Sequence, residues 1–345
     1  MVRSTTVVNP SELEQVPHTV SVVIPVYGGE KTLAGIVSEI ETLTVATRTP
    51  DGYDLVVKEV LLVYDNGNDD SPRVIHELSE RYAFVRPIWL SRNFGQHAAT
   101  LAGMASSGSE WIVTVDEDGQ HDPRYILAML DTAMREGAGL VYAKPTNPAP
   151  HGVVRNAASK SAKWLLTKIF GNVNAPDYQS FRLMLGSVGR SVAAYAGSGV
   201  YLDVALGWIV GRSATCPVTL RGEGDQRQSG YSRRRLLSHF WRMVLSNGTR
   251  GLRIVSLIGV IFAAFGVGLT AVILVSHFIG DNTPAGWGST IVVVSLSSGA
   301  VLFSLGIIAE YIGVSVNMAM GKPPYLITSD PANGPLGRRH GSPLQ

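Results

Sequence analysis

Cysteine is almost absent: Cys216 is the single one in 345 residues. That excludes an intramolecular disulfide and fits a reducing compartment. There is no G-x-G-x-x-G, so the dinucleotide-binding fingerprint is missing. No basic-then-apolar segment precedes the first strand-like run, so no cleavable signal peptide is expected. Net charge is only +2, which argues against a nucleic-acid partner. Charge is also missing locally. Residues 254–280 and 287–309 contain no Asp, Glu, Lys or Arg. Each run exceeds the roughly 20 apolar residues that cross a bilayer core of about 30 Å.

What is present is organised around Trp111–Val115, a nearly all-apolar run that reads as a strand buried on both faces. It leads straight into Asp116-x-Asp118-x-Gln120. In an extended segment, residues i, i+2 and i+4 share a side. These three side chains would therefore offer oxygen ligands to one hard cation. Taken alone, a D-x-D is more often a solvated acidic turn. The neighbouring strands change the balance. Val20–Tyr27 reads as a first strand, followed by a Gly28-Gly29-Glu30 turn and a helix over Lys31–Leu43. Glu59–Tyr64 reads as a strand ending at Asp65-Asn66-Gly67. Phe84–Leu90 is another, running into Ser91-Arg92-Asn93-Phe94-Gly95 and a helix of small residues over Ala98–Ser106. Helices over Ser71–Tyr82 and Arg124–Glu136 and a strand over Leu140–Ala143 complete the alternation. This predicts an α/β domain with a mostly parallel sheet and acidic strand ends on one edge, where such sheets bind ligands.

Beyond it, residues 144–152 read as a loop over that edge, and 153–170 as a basic helix. A long helix is expected over Ser191–Val210, with Asp203 isolated among apolar residues, then a last strand over Ser213–Leu220. Residues 233–245 mix Arg with large apolar residues at helical spacing, as an interfacial membrane helix does. The linker between the two charge-free runs, Asp281–Gly286, has no Lys or Arg. Arg250, Arg253, Lys322, Arg338 and Arg339 lie on the outer flanks, so both termini and the α/β domain are expected in the cytoplasm. The resulting division is a flexible tail (1–18), a catalytic domain (19–231), an interfacial helix (232–251), membrane helices (252–280 and 287–315) and a second flexible tail (322–345).

Several motifs occur in a telling order. Ser91-Arg92-Asn93-Phe94-Gly95, Asp116-x-Asp118-x-Gln120-x-Asp122-Pro123, Arg155-x-x-x-Ser159-Lys160, Asp177-Tyr178 and Ser229-Gly230-Tyr231-Ser232 come first. Gly306–Gly313 and Pro324-Tyr325 follow. Together they resemble the polyprenyl-phosphate glycosyltransferases of glycosyltransferase family 2. The nearest likeness is to the two-span undecaprenyl-phosphate glucosyl- and aminoarabinosyl-transferase subgroup, and it covers roughly residues 20–327.

The resemblance implies a GT-A, Rossmann-like catalytic domain on the inner (plasma) membrane. It implies a metal-dependent, inverting hexosyltransferase that moves a sugar from a nucleotide-sugar, by default a UDP-sugar such as UDP-glucose, to undecaprenyl phosphate for cell-envelope glycan modification. By the same likeness, Pro25, Tyr27, Glu30, Asp65, Arg92, Asn93 and Asp116 would bind the donor. Asp116, Asp118 and Gln120 would hold Mg²⁺ or Mn²⁺. Lys144, Arg155, Ser159, Arg227 and Ser229 would hold the lipid phosphate. Asp118, Asp177 and Arg155 would be catalytic. A homo-oligomer is also implied. The chain departs from the family pattern in three places. Asn66 stands where a second Asp is common, Gly119 replaces a usual Leu, and Gly224 and Arg227 stand where R-x-x-G-x-S has Arg and Gly, with Arg227 or Arg221 left to make those phosphate contacts. A polysaccharide-extending family-2 enzyme is the alternative, but the chain lacks an evident Q-x-x-R-W motif. An inactive membrane scaffold is the other.

Overall fold

The computed structural model describes residues 16–147, 178–197, 200–221 and 286–331, with residue 334 and scattered positions between 259 and 275. The described elements run β1 (His18–Val26), α1 (Leu33–Glu41), β2 (Thr47–Arg48), β3 (Asp54–Tyr64), α2 (Ser71–Arg81), β4 (Val85–Leu90), α3 (Gln96–Ser106) and β5 (Trp111–Thr114). They continue with α4 (Tyr125–Glu136), β6 (Leu140–Pro145), β7 (Arg182–Leu185), α5 (Gly186–Tyr195), α6 (Leu202–Ile209), β8 (Ser213–Val218), α7 (Trp287–Ala319) and β9 (Ile327–Thr328).

The strands join one sheet in the order β8-β6-β7-β5-β1-β3-β4-β9, with β2 paired to β3. The pairs β1–β3, β1–β5, β3–β4 and β6–β8 are parallel. This is the mostly parallel α/β sheet expected. The strands are apolar on both faces because helices cover both. Val22 and Ile24 of β1 pack toward α1, α2 and α4. Val23 of the same strand packs toward α3, α5 and α6. Burying each such side chain contributes roughly 1.5–3 kcal/mol. The small-residue helix α3 lies close on β1: a Cβ on Gly103 would meet Val23 Cγ1 at 2.3 Å.

Strand order fixes where a ligand fits. The chain moves outward from β1 to β3 and β4, then crosses back to β5 on the other side of β1. A switch point therefore opens between the carboxyl ends of β1 and β5, where open α/β sheets bind ligands.

Three expectations differ from the structure. β7 was not anticipated, and it runs antiparallel between β5 and β6. It is four residues long and begins with a charge, so no periodic signal marks it. The long helix expected over Ser191–Val210 is two helices, α5 and α6. Part of the segment expected to be a flexible tail from residue 322 forms β9 and pairs with β4.

α7 has 33 residues, about 50 Å at the helical rise. Within it Ser297–Val316 is apolar enough and long enough to cross a membrane, and none of that segment is buried. Val301, Leu302, Phe303, Leu305 and Ile312 are all exposed. The interfacial segment 232–251 lies outside the described residues, as does most of 252–280.

Candidate active site

The site is assembled from the carboxyl ends of β1, β3, β4 and β5. The turn after β1 is held by Glu117, whose carboxylate accepts the Tyr27 N–H at 2.9 Å and the Gly28 N–H at 3.0 Å. The loop after β3 closes on the same turn. Ser71 Oγ accepts the Gly29 N–H at 3.0 Å, and Asp69 accepts the Glu30 N–H at 3.1 Å. The Glu30 carboxylate in turn accepts the Asp70 N–H at 3.4 Å. The two loops approach so closely that a Cβ on Gly67 would lie 1.6 Å from the Tyr27 carbonyl oxygen. Only glycine fits there.

Asp65, at the end of β3, is buried. Its two oxygens accept the Phe94 and Gly95 N–H groups, each at 2.7 Å. Burial raises its carboxyl above the usual range, while the two amides and the Arg92 guanidinium oppose that rise. Asp65 thus ties the loop Ser91–Gly95 to the sheet. Arg92 and Asn93 lie exposed on that loop, with the guanidinium 4.1 Å from the Phe94 ring centre.

Asp116 follows β5 at the switch point. Its Oδ1 accepts from Gln96 Nε2 at 2.6 Å, and its Oδ2 accepts from the Ser180 hydroxyl. Asp118 Oδ1 accepts the Gln120 N–H at 3.0 Å, forming a tight side-chain turn. Gly119 sits within that turn at φ +74°, a conformation that side chains other than glycine strain to adopt. This accounts for the glycine where the family pattern has Leu. Among the described residues no group of three or more His, Cys, Asp or Glu is placed to hold a metal. Two carboxylates two residues apart still fit a hard cation that takes its other ligands from water and substrate phosphates, as Mg²⁺ commonly does.

Behind Asp116 lies a cleft of about 280 Å³ lined by Pro25, Gln96, His97, Tyr178, Ser180 and Tyr201, among others. Arg182 and Asp203 form an ion pair at its floor, both side chains 4% exposed. Arg182 Nε donates to Thr114 Oγ1 at 3.1 Å and to the Ser180 carbonyl at 3.3 Å. The Tyr142 hydroxyl donates to Asp203 at 3.1 Å. Burial alone would lower the Arg182 pKa, but the Asp203 carboxylate holds it charged. Burial, then the Asp203 charge, pushes the Tyr142 phenol well above its ordinary value. The pair therefore carries a polar chain, Asp203–Arg182–Ser180–Asp116, into the site.

Below the acidic turn, Arg221 joins distant elements. It contacts both Glu39 oxygens, at 2.8 and 2.9 Å, and reaches Asp122 at 3.0 Å. Its N–H donates to the Gln120 carbonyl at 2.9 Å. Arg124 hydrogen bonds, with help from Arg221, lower the Asp122 carboxyl to about 2.

The structure thus brings Pro25, Tyr27, Glu30, Asp65, Arg92, Asn93, Asp116, Asp118 and Gln120 to one edge of the sheet. Lys144 lies exposed near the end of β6, two strands from β5, or about 10 Å at ordinary strand spacing. Arg155, Ser159, Asp177, Arg227 and Ser229 lie outside the described residues. Glu117, Gln96, Ser180 and Arg182 carry no signal in the sequence that marks them as site residues, and Arg221, a candidate for the lid's phosphate contacts, is engaged by Glu39 and Asp122. The extended geometry expected over Asp116, Asp118 and Gln120 does not hold, because β5 ends at Thr114 and the chain turns at Glu117–Gly119; from that turn Glu117 grips the β1 turn.

The stretch from β1 through β7 matches the family model described as "Glycosyl transferase family 2", over residues 21–185. Residues 21–185, just under half of the chain, are thus similar to a family 2 glycosyltransferase domain. The domain contains Asp65, Asp116 and Asp118, and so most of the edge just described. Similarity to relatives extends well beyond it. An uncharacterised glycosyltransferase of Bacillus subtilis (strain 168), YkcC, is 28% identical over 308 residues, 89% of this chain and 92% of its own. The undecaprenyl-phosphate 4-deoxy-4-formamido-L-arabinose transferase of Klebsiella pneumoniae (strain 342) is 27% identical, over 89% of this chain and 92% of its own. A prophage bactoprenol glucosyl transferase homolog of Escherichia coli (strain K12) is 25% identical, over 89% of this chain and 98% of its own.

Proposed function

We propose that the glycosyltransferase domain moves a sugar from a nucleotide-sugar to polyprenyl phosphate at the cytoplasmic face of the plasma membrane. The observation that carries this reading is the Asp116-x-Asp118 end of β5 at the switch point, in one chain with an exposed apolar helix of membrane length. Relatives named for transfer to undecaprenyl phosphate or bactoprenol align along almost the whole chain. The full topology has an interfacial helix at 232–251, a first span at 252–280 and α7 as the second. It keeps both tails in the cytoplasm and assembles as a homo-oligomer.

Pro25, Tyr27, Glu30 and Asp65 line the nucleotide side, with Arg92 and Asn93 beside the phosphates. Asp116, Asp118 and Gln120 would hold Mg²⁺ or Mn²⁺. When bound, that cation neutralises charge that builds on the departing diphosphate. Lys144, Arg155, Ser159, Arg227 and Ser229 form the lipid-phosphate side. A phosphate monoester with a second pKa of about 6 is largely dianionic at neutral pH. Its oxygen is already a nucleophile, so no strong base is needed. The difficulty is to bring two anions together, and cationic side chains supply charge-assisted hydrogen bonds for that. The phosphate oxygen attacks the anomeric carbon in line, the bond from that carbon to the diphosphate oxygen breaks, and the nucleoside diphosphate leaves. The configuration inverts. Asp177 orients the acceptor or the cations around it.

A panel of labelled nucleotide-sugars, UDP-glucose first, tests this with undecaprenyl phosphate and either Mg²⁺ or Mn²⁺. Label in a lipid-extractable monophosphate-sugar is the expected product. Label in a polymer, or none from the whole panel, would overturn the reading.

A further inference from the structure

The segment after α7 returns to the catalytic sheet, and where it lands matters. Without it, β4 would be the open edge of a parallel sheet, with a row of unpaired backbone groups. β9 covers that edge in antiparallel register, Trp89 opposite Thr328 and Leu90 opposite Ile327. The next bond is made by the first residue of the donor-side loop: the Ser91 N–H donates to the Leu326 carbonyl at 2.9 Å. The other end of that loop, Phe94 and Gly95, is held by Asp65. Arg92 and Asn93 lie between these two anchors.

Side chains add to the attachment. Tyr325 packs against the core beneath α3. Asp330 lies 3.3 Å from His76 Nε2. His76 stacks on Trp89 at 5.0 Å, and Trp89 meets Tyr64, next to Asp65, edge-on at 5.5 Å. The link from α7 is short, residues 320–326, and includes Pro323-Pro324, which stiffens it.

We infer that residues 325–330 are a positioning strap. They fix the near end of the Ser91–Gly95 loop, so that Arg92 and Asn93 are ordered before the nucleotide-sugar arrives, and they tie that order to the membrane helix. This rests on the donor-site assignment above and adds to it a positioning element more than 200 residues away in sequence. Pre-ordering one or two side chains is worth about tenfold in donor affinity.

The test uses the full chain in lipid nanodiscs. Thr328→Pro removes the strand N–H opposite Trp89, and Thr328→Val keeps it. Hydrogen exchange is read at Phe94 and Gly95 without substrate, and donor and acceptor KM are measured separately. Thr328→Pro is expected to speed exchange at both amides and raise donor KM about tenfold, with acceptor KM and exchange in α4 unchanged and Thr328→Val like wild type. If Thr328→Pro does not fold, Tyr325→Ala should move the same readouts in the same direction. Unchanged exchange at Phe94 and Gly95, or an effect confined to acceptor KM, would overturn the inference. If wild type turns over no nucleotide-sugar, the assigned function fails, while the exchange comparison still decides whether the strap holds the loop.

Discussion

Asp203→Ala would strand the Arg182 guanidinium in the interior, since both side chains are 4% exposed. It would also remove the acceptor of the Tyr142 hydroxyl. Breaking a buried pair by deleting one partner costs about 3–5 kcal/mol, against a total stability of roughly 5–15 kcal/mol. For a domain of this size each kcal/mol shifts melting by about 2–4 °C, so a fall of about 10 °C is expected. Thermal melting of the detergent-solubilised chain, followed by tryptophan fluorescence, reads it. The double change Arg182→Met with Asp203→Leu leaves no buried charge and should recover at least half of that loss. It should not recover transfer, because Arg182 no longer holds Ser180, and Ser180 no longer holds Asp116. A melting loss below about 2 °C for Asp203→Ala, or full transfer by the double variant, would refute this reasoning.

Gly67→Ala places a methyl 1.6 Å from the Tyr27 carbonyl; we expect a loss of about 3 kcal/mol in a denaturation series and a raised donor KM. Ser180→Ala removes one partner of Asp116 and should lower transfer about tenfold with little change in melting. Asp122 is held at about 2 in the folded protein against an ordinary 3.8, so its contribution is full above the unfolded value and is lost as pH falls toward 2. Allowing for screening around the exposed Arg124, Asp122→Asn should cost about 1 kcal/mol at pH 6. The difference from wild type should vanish near pH 2; a gap that widens on acidification would contradict the assignment.

The parts of the molecule legible in the sequence are those with local causes. β1 and β5 are buried on both faces, and that burial leaves a continuous apolar run in each. The acidic residues at the ends of β5 and β3 point to the edge where ligands bind. Glycines in α3 and at 119 are likewise explained by close packing and by a turn. What the sequence hides is set by partners far along the chain. β7 is held by neighbours on both sides, and its leading Arg is tolerated because Asp203 reaches it. Asp203 was visible as a lone charge among apolar residues, but its partner was not. Asp65 follows an apolar run and so reads as a strand end, while its grip on Phe94 and Gly95 depends on the geometry of β4 and its loop. β9 is two residues long, too short to leave a periodic trace, and its partner strand precedes it by more than half the chain.

We propose above that the Asp116–Asp118 edge joins a nucleotide-sugar to a lipid phosphate. Transfer of labelled sugar to undecaprenyl phosphate by wild type and by Asp118→Ala, assayed side by side with Mg²⁺ or Mn²⁺, tests it most directly. Wild type should give a lipid-linked sugar and the variant none, with both proteins melting within about 3 °C of each other. Transfer by Asp118→Ala at near wild-type rate would contradict it.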